Sequence, residues 1–201
     1  MEDTLHDGTV VGVLLAAGLG TRFAGGNKLL AHPAAEERSQ PIVRLSAERL
    51  VEAPVDRAVV VLGNEAEQVA DALTPVDIET VYNPEYEAGQ ATSVAHGVDW
   101  ARDQGADAAL FALGDMPWVS PATYQAIVDR WRETGAGIVV PEYDGQRGNP
   151  VLFGAIHFDG LAAVTGDTGG RELMAREPVE RVAVDDPGIS RDVDHRDDLQ
   201  A

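Results

Sequence analysis

Residues 10–30, VVGVLLAAGLGTRFAGGNKLL, decide the fold of this chain. They open with an aliphatic, β-branched run that ends in small residues and glycine, a pattern typical of a buried parallel strand. The glycine-rich segment that follows lets backbone N–H groups approach a ligand, because glycine accepts unusual φ angles. Successive N–H groups in such a loop form a concavity that binds anions. The stretch therefore predicts a strand and an anion-binding loop, with Arg22 and Lys28 at its rim.

Lys28 is the only lysine among the 15 Lys and Arg residues of the chain. A composition that uses arginine everywhere else, and lysine beside a glycine-rich loop, indicates a need for a compact ammonium group. An ammonium meets phosphate as a point charge, whereas a guanidinium acts as a planar fork. We therefore expect Lys28 to contact phosphate; the alternative is a surface lysine without a special role.

Apolar runs and helical periodicities alternate along most of the chain. Strands are predicted at 10–15, 58–62, 78–82, 108–113, 138–141, 151–153 and 179–184, and helices at 41–50, 65–73, 89–104 and 120–134. This alternation predicts an α/β fold of three layers with a mostly parallel sheet and right-handed crossovers. At 201 residues we expect one domain, 1–201, with ligands bound beyond the carboxyl ends of the strands.

The formal net charge is −19, and the acidic residues are spread along the whole chain. This charge argues against binding to nucleic acid, which requires a basic face. An acidic partner-binding surface or a basic ligand would explain it, but near-absence of lysine favours adaptation to a high-salt cytoplasm and a halophilic source.

The composition also limits location and chemistry. The chain has no cysteine, which excludes disulfides and thiolate metal sites. The sequence shows no signal-peptide pattern and no apolar run near the ~20 residues of a membrane span, so we expect a cytoplasmic protein without membrane contact. We also expect a monomer.

Asp115 directly follows a predicted buried strand, in the sequence ALGDMP. Gly114 removes a side chain that would block approach to the strand end. A carboxylate in this place suits magnesium, which accepts one or two carboxylates and completes its shell with water and phosphate oxygens. The alternative is a turn-forming aspartate ahead of Pro117.

Asp192 and Asp194 alternate in the sequence DVDHRDDL near the end of the chain. On an extended backbone both side chains would point to the same side. Asp194 is a candidate metal ligand, but it could instead cap a terminal helix with Asp197 and Asp198 in its first turn. The residues alone leave both interpretations open.

Two more segments contain candidate substrate contacts. Arg147 and Asn149 flank a glycine ahead of a strand, where a plain hairpin corner is the alternative. Gly169 and Arg171 belong to a glycine-rich segment before a short helix, which could cradle a second anion. Ordinary loops have the same composition.

Five motifs, in order, resemble those of the molybdenum cofactor cytidylyltransferase family within the MobA-like nucleotidyltransferases. They are LLAAGLGTRFAGGNKLL, NPEYEAGQATSV, LGDMPWV, RGNPVLF followed by GDTGGR, and DVDHRDDL. The resemblance extends over residues 11–199 and implies a Rossmann-like nucleotidyltransferase fold. It also implies Mg²⁺-dependent transfer of CMP from CTP to the phosphate of molybdenum cofactor, with release of pyrophosphate. A molybdoenzyme or its chaperone would be a further partner.

The resemblance assigns roles to individual residues. Catalytic roles go to Arg22, Lys28 and Asp115, and a magnesium ion to Asp115 and Asp194. The expected nucleotide contacts are Leu15, Ala16, Ala17, Gly18, Gly20, Thr21, Arg22, Lys28, Gly63, Asn83, Gly89, Ser93, Gly114 and Asp115. The expected substrate contacts remain Arg147, Asn149, Gly169 and Arg171.

Some residues depart from the family pattern and keep alternatives open. Gly20-Thr21 is more typical of sugar-phosphate nucleotidyltransferases, although these usually have proline where Asn27 stands, and Gln90-Ala91 replaces a more hydrophobic pair. A guanylyltransferase usually has glycine in place of Ala17, so we expect CTP over GTP because the extra methyl narrows the space beside the base. A non-catalytic cofactor carrier is the last alternative, and the presence of Lys28 with both carboxylates argues against it.

Overall fold

The computed structural model describes residues 6–33, 40–166 and 170–200. Within these ranges the chain forms an eight-stranded sheet with helices on both faces. The strands are β1 Val10–Ala16, β2 Arg57–Leu62, β3 Glu79–Tyr82, β4 Ala108–Leu113, β5 Ile138–Tyr143, β6 Gln146–Arg147, β7 Val151–Gly154 and β8 Glu180–Ala183. The helices are α1 Ile42–Val51, α2 Ala66–Leu73, α3 Gln90–Asp103, α4 Pro121–Thr134, α5 Phe158–Ala162 and α6 Arg171–Met174.

The sheet is mostly parallel and has the order β3-β2-β1-β4-β7-β5, with β6 and β8 both paired to β5. Strands β3, β2, β1 and β4 run parallel, whereas β7 runs antiparallel to β4 and β5. In the centre, Leu15 of β1 pairs with Val61 of β2 and Leu113 of β4. Because these strands end at one edge, the segments that follow β1, β2 and β4 lie side by side there.

Alternating side chains of the strands fill two apolar layers. On one face Leu14 of β1 packs with helices α1, α2 and α4, and on the other face Val13 packs with α3 and α5. Buried β-branched and aliphatic side chains favour such strands, and their burial from water is the main driving force for the fold. The three-layer α/β prediction is confirmed.

The start of α4 shows how a local signal fixes an element. Ser120 Oγ accepts from the Ala122 backbone N–H at 3.3 Å, and Pro121 occupies the first helical position, as its missing N–H allows. Asp144 and Gly145 form a tight turn: both residues have positive φ, 50° and 75°, and join β5 to the short strand β6. No helix in the described ranges has both the length and the apolar character to cross a membrane.

Candidate active site

The loop after β1 brings Lys28 back to the edge of the sheet. Gly20 has a φ of 58°, and its carbonyl accepts from the Phe23 N–H at 2.9 Å, so the chain turns sharply after the strand. Asn27 Oδ1 accepts from the Leu29 N–H at 3.0 Å and begins a short 3₁₀ turn, Lys28–Leu30. The Lys28 stem then lies along Gly20, where an added Cβ would stand 3.3 Å from Lys28 Cγ.

Lys28 bridges the two predicted metal ligands. Its Nζ lies 2.5 Å from Asp115 Oδ2 and 3.2 Å from Asp194 Oδ1. All three side chains are largely shielded, with exposed fractions of 14%, 18% and 22%. Burial alone would lower the pKa of the Lys28 ammonium, but the Asp115 and Asp194 carboxylates outweigh it and hold that pKa above its ordinary value. The two aspartates therefore converge on one cation position.

The C-terminal segment reaches this position through backbone and apolar contacts. The Val193 N–H donates to the Asp115 carbonyl at 2.9 Å, which places Asp194 beside Asp115. The Val193 side chain is buried with Phe23 and Ile42, so a small apolar cluster joins the loop, α1 and the C-terminal segment.

The contacts of Asp194 distinguish the two interpretations of its role. Its carboxylate accepts from Lys28 and from Arg22. The N–H groups of Asp194 and His195 donate to Asp198 Oδ2, at 2.9 and 2.6 Å. These backbone hydrogen bonds, that from His195 first, lower the pKa of the Asp198 carboxyl. Asp198 thus fastens the terminal turn, and the arrangement favours a ligand role for Asp194 over helix capping.

Arg196 fastens the same turn to the loop. Its Nε donates to the Ala24 carbonyl at 2.7 Å and its Nη2 to the Gly25 carbonyl at 3.3 Å. Gly25 has a φ of 94°, and an added Cβ there would stand 2.5 Å from Arg196 Nη2. Glycine is therefore favoured at this position by its backbone angle, and a side chain there would displace the guanidinium.

The segments after β2 and β3 form the wall beside the loop. An added Cβ at Gly63 would stand 2.7 Å from both the Cβ and the carbonyl oxygen of Ala17, so the two loops touch. Ala17 is only 2% exposed. Its methyl group packs against Gly63 and does not project into open space.

Asn83 positions the start of α3. It is fully buried, its Nδ2 donates to Thr92 Oγ1 at 2.9 Å and Ser93 Oγ at 3.0 Å, and its Oδ1 accepts from the Glu85 N–H at 2.8 Å. Gly89, with a φ of 112°, leads into the helix. The visible role of Asn83 and Ser93 is to shape this wall, and direct contact with a nucleotide stays a prediction.

A cavity of about 380 Å³ opens at the ends of β1 and β4, between Leu15 and Leu113. It brings together three predicted substrate residues, Arg147, Asn149 and Arg171. Its apolar lining comes from Val94, Phe111, Val151 and Met174. The fourth predicted substrate residue, Gly169, lies outside the described residues.

A larger groove of about 470 Å³ lies on the outer side of the loop, between Phe23, Glu65 and Arg196. Size does not decide the site. Ligands of such sheets contact the carboxyl ends of the strands, and these ends line the smaller cavity.

Asp115 and Asp194 fit a divalent metal ion. Both present carboxylate oxygens, the hard donors that Mg²⁺ and Mn²⁺ prefer, to one shared cation position. The described ranges contain no group of three or more His, Cys, Asp or Glu side chains arranged for a metal. A pair of carboxylates completed by water and phosphate oxygens is the usual form of a magnesium site on a nucleotide.

Three residues hold the site together without a site role predicted from the sequence. Asn27 ahead of Lys28 carries a recognisable signal, because asparagine is a common cap for a helical turn. Asp198 is expected from the sequence only in the first turn of a terminal helix, and the structure places it there. Arg196 carries no comparable signal, since charged residues in an acidic chain are usually solvated.

A glycine-rich loop, a shared cation position and a cavity with two arginines meet at the carboxyl edge of an α/β sheet. This combination suits an enzyme that transfers a nucleotidyl group, because such a transfer depends on positioning and on charge neutralisation. The chain belongs to the MobA-like NTP transferase domain family, whose sequence profile matches residues 12–182.

Known relatives are similar in sequence and in structure. The bifunctional protein GlmU of Carboxydothermus hydrogenoformans is 31% identical over 153 residues, which are 76% of this chain but 32% of that protein, so the chain spans about a third of its length. Nicotine blue oxidoreductase of Paenarthrobacter nicotinovorans is 28% identical over 193 residues and 92% of both chains. The structure of Rv0371c from Mycobacterium tuberculosis, in complex with manganese, has a TM-score of 0.77 and 30% identity, and covers 94% of this chain and 95% of its own.

Proposed function

We propose that this protein transfers CMP from CTP to the phosphate of molybdenum cofactor and releases pyrophosphate, with Mg²⁺ as the metal. The observation that carries the proposal is the position of the two-arginine cavity. It begins at Leu15 and Leu113, the strand residues that lead directly into the loop and into Asp115. An acceptor held there lies next to a nucleotide held by the loop, as a transfer between the two requires.

The loop and its cations would hold the nucleotide. Backbone N–H groups around Gly18 and Gly20 suit phosphate oxygens, and Lys28 and Arg22 supply positive charge at the same edge. An added Cβ at Gly18 would meet no atom within 4 Å, so the backbone is open to a ligand there. These cations would offset the repulsion between an anionic ligand and a chain of net charge −19.

In the transfer itself, a phosphate oxygen of the acceptor forms a bond to the α-phosphorus of CTP, in line with the bond that breaks. The bond between the α-phosphorus and the bridging oxygen breaks, and pyrophosphate leaves with that electron pair. No protein nucleophile is required, because the residues act by orientation and charge. A magnesium ion held by Asp115 and Asp194 would neutralise charge on the phosphates.

The lining of the cavity supports the proposed acceptor. Arg147 and Arg171 suit a phosphate group, since guanidinium binds phosphate in a bidentate manner. Phe111 and Met174 provide an apolar surface suited to a flat heteroaromatic ring such as a pterin. A sugar phosphate would use the hydrogen-bonding groups of the lining, Gln90 and Asn149, and leave this apolar surface without a partner.

The cellular setting is a further part of the proposal. The enzyme would be a cytoplasmic single-domain monomer from a halophile that passes its product to a molybdoenzyme or its chaperone. The dispersed acidic residues and the single lysine support the halophilic source.

Pyrophosphate release tests the proposal. We expect release from CTP only when molybdenum cofactor and Mg²⁺ are both present, and little release from GTP, UTP or ATP. Release from GTP with the same acceptor would indicate a guanylyltransferase, and release with a sugar 1-phosphate would indicate a sugar-phosphate enzyme. Cofactor binding without any release would indicate a non-catalytic carrier.

A further inference from the structure

The Lys28 ammonium lies where a metal shared by Asp115 and Asp194 would have to lie. Nζ is within hydrogen-bonding distance of one oxygen of each carboxylate. The ammonium and a divalent ion bound to the same two oxygens cannot both occupy this partly buried space, because two cations about 4 Å apart repel strongly there. Lys28 must leave its present position before the carboxylates can hold a metal.

The loop offers the ammonium a second place. The Lys28 stem runs along Gly20, with Cγ, Cδ and Cε at 3.3, 3.7 and 4.0 Å from an added Cβ at that glycine. The stem therefore passes along the loop before its end reaches the carboxylates. Rotation about the terminal side-chain bonds would carry Nζ from the aspartates toward phosphate oxygens bound in the loop.

A cation is needed at the aspartates when no metal is present. Two carboxylates that face each other in a shielded site repel. The ammonium offsets this repulsion and keeps Asp194 next to Asp115. It therefore stabilises the ligand pair in the geometry that the metal will use.

We propose that Lys28 is a place-holding cation, which keeps the Asp115–Asp194 pair assembled and excludes divalent metal until nucleotide phosphates draw it onto the loop. This inference rests on the metal pair of the proposed function. It implies that metal binds weakly to the free protein and that metal and nucleotide strengthen each other's binding reciprocally.

Binding of Mn²⁺ to the free protein, followed by the electron paramagnetic resonance of unbound Mn²⁺, tests the proposal without turnover. Lys28→Gln removes the charge and keeps a side chain of similar length. We expect this variant to bind Mn²⁺ roughly tenfold more tightly than the wild type, or more, because the competing cation is gone. Lys28→Arg keeps a positive charge near the carboxylates, although a guanidinium does not fit the space of the ammonium, so it should bind Mn²⁺ less tightly than Lys28→Gln.

A nucleotide analogue gives a second measurement. With α,β-methylene-CTP, the wild type should gain much more Mn²⁺ affinity than Lys28→Gln, whose site is already free. This comparison separates the removal of Lys28 from the extra ligands that the phosphates themselves supply to the metal.

Arg22→Gln is the matched control. Arg22 pairs with Asp194 Oδ2, whereas Lys28 contacts Oδ1. The Arg22 side chain is 72% exposed, so solvent screens the charge of its guanidinium. We expect its Mn²⁺ affinity to change by less than about threefold. Melting curves with and without Mn²⁺ check that each variant is folded.

The outcomes distinguish this proposal from the function it rests on. If Asp115→Asn loses Mn²⁺ binding but Lys28→Gln binds no more tightly than the wild type, the metal pair is right and the place-holding role is wrong. If Asp115→Asn and Asp194→Asn both bind Mn²⁺ like the wild type, the metal pair is wrong and both proposals fail.

Discussion

Asp194→Asn separates the metal-ligand role of this residue from helix capping. The substitution removes a negative charge but keeps the size of the side chain and its ability to accept a hydrogen bond. Asparagine caps a helix as well as aspartate does. A capping role therefore predicts an unchanged enzyme, whereas a ligand role predicts a severe defect.

The contacts of Asp194 set the size of the effect on stability. Its pair with Arg22 is largely exposed on the arginine side and contributes about 0–1 kcal/mol. Its hydrogen bond from the shielded Lys28 survives in weaker form, because the asparagine oxygen still accepts it and Asp115 remains. We expect the free energy of unfolding to fall by about 1 kcal/mol.

The effect on catalysis should be much larger. Loss of one charged group that stabilises a transferring phosphoryl group typically lowers turnover by about 10²–10³-fold. A second loss at Asp115 should add little, because the two carboxylates act as one unit. Pyrophosphate release across a Mg²⁺ titration, for both single variants and the double variant, measures these losses.

Asp192→Asn is the matched control, since Asp192 is exposed and stands two residues away in the same acidic segment. It should turn over like the wild type. The reasoning is refuted if Asp194→Asn also turns over like the wild type at saturating Mg²⁺, and capping would then be its role.

Four other changes have defined outcomes. Lys28→Arg should recover little of the turnover lost in Lys28→Ala, because a planar guanidinium does not fit the space of an ammonium; near-full activity in a steady-state assay would contradict this. The wild type should prefer CTP over GTP. Ala17→Gly should lower the ratio of kcat/KM for CTP to kcat/KM for GTP by a factor that corresponds to about 1–3 kcal/mol, and an unchanged ratio would show that Ala17 does not contribute to base selection. Molar potassium chloride should raise the melting temperature, since salt screens the self-repulsion of a chain of net charge −19. A stabilisation of about 2 kcal/mol would raise the melting temperature by about 4–8 °C. Calorimetry in dilute and concentrated salt measures this shift, and an unchanged melting temperature would contradict the prediction. Asp198→Ala should weaken the apparent Mg²⁺ affinity more than Asp198→Asn, which keeps an acceptor for the terminal turn, and equal Mg²⁺ titrations for both variants would exclude this role. Because the pKa of the Asp198 carboxyl is lowered in the folded state, its contribution to stability in the wild type is present above the ordinary pKa of 3.8 and is lost as pH falls through the lowered pKa.

Local patterns predicted most of the fold. The strand at Val10–Ala16 and the helix that begins at Pro121 each follow from neighbouring residues, and both are confirmed. Helix α5 was missed because it has only five residues, FDGLA, with a glycine inside, and strand β6 because it has only two residues.

Contacts between distant segments were much harder to predict. The sequence indicated that Asp115 and Asp194 share a site, but not that Lys28 bridges them, because that contact depends on how the loop folds back after Gly20. The Ala17 methyl was expected to lie beside the base, whereas it packs against Gly63, whose missing side chain allows the two loops to touch.

The measurement that tests the central claim most directly is identification of the product by mass spectrometry. The protein, isotopically labelled CTP, purified molybdenum cofactor and Mg²⁺ would be combined at high salt. The account predicts a labelled pterin cytosine dinucleotide, with one pyrophosphate released for each molecule formed and no product from the Asp115→Asn/Asp194→Asn variant. Label that stays in CTP, or that enters another acceptor such as a sugar phosphate in place of the pterin, would contradict it.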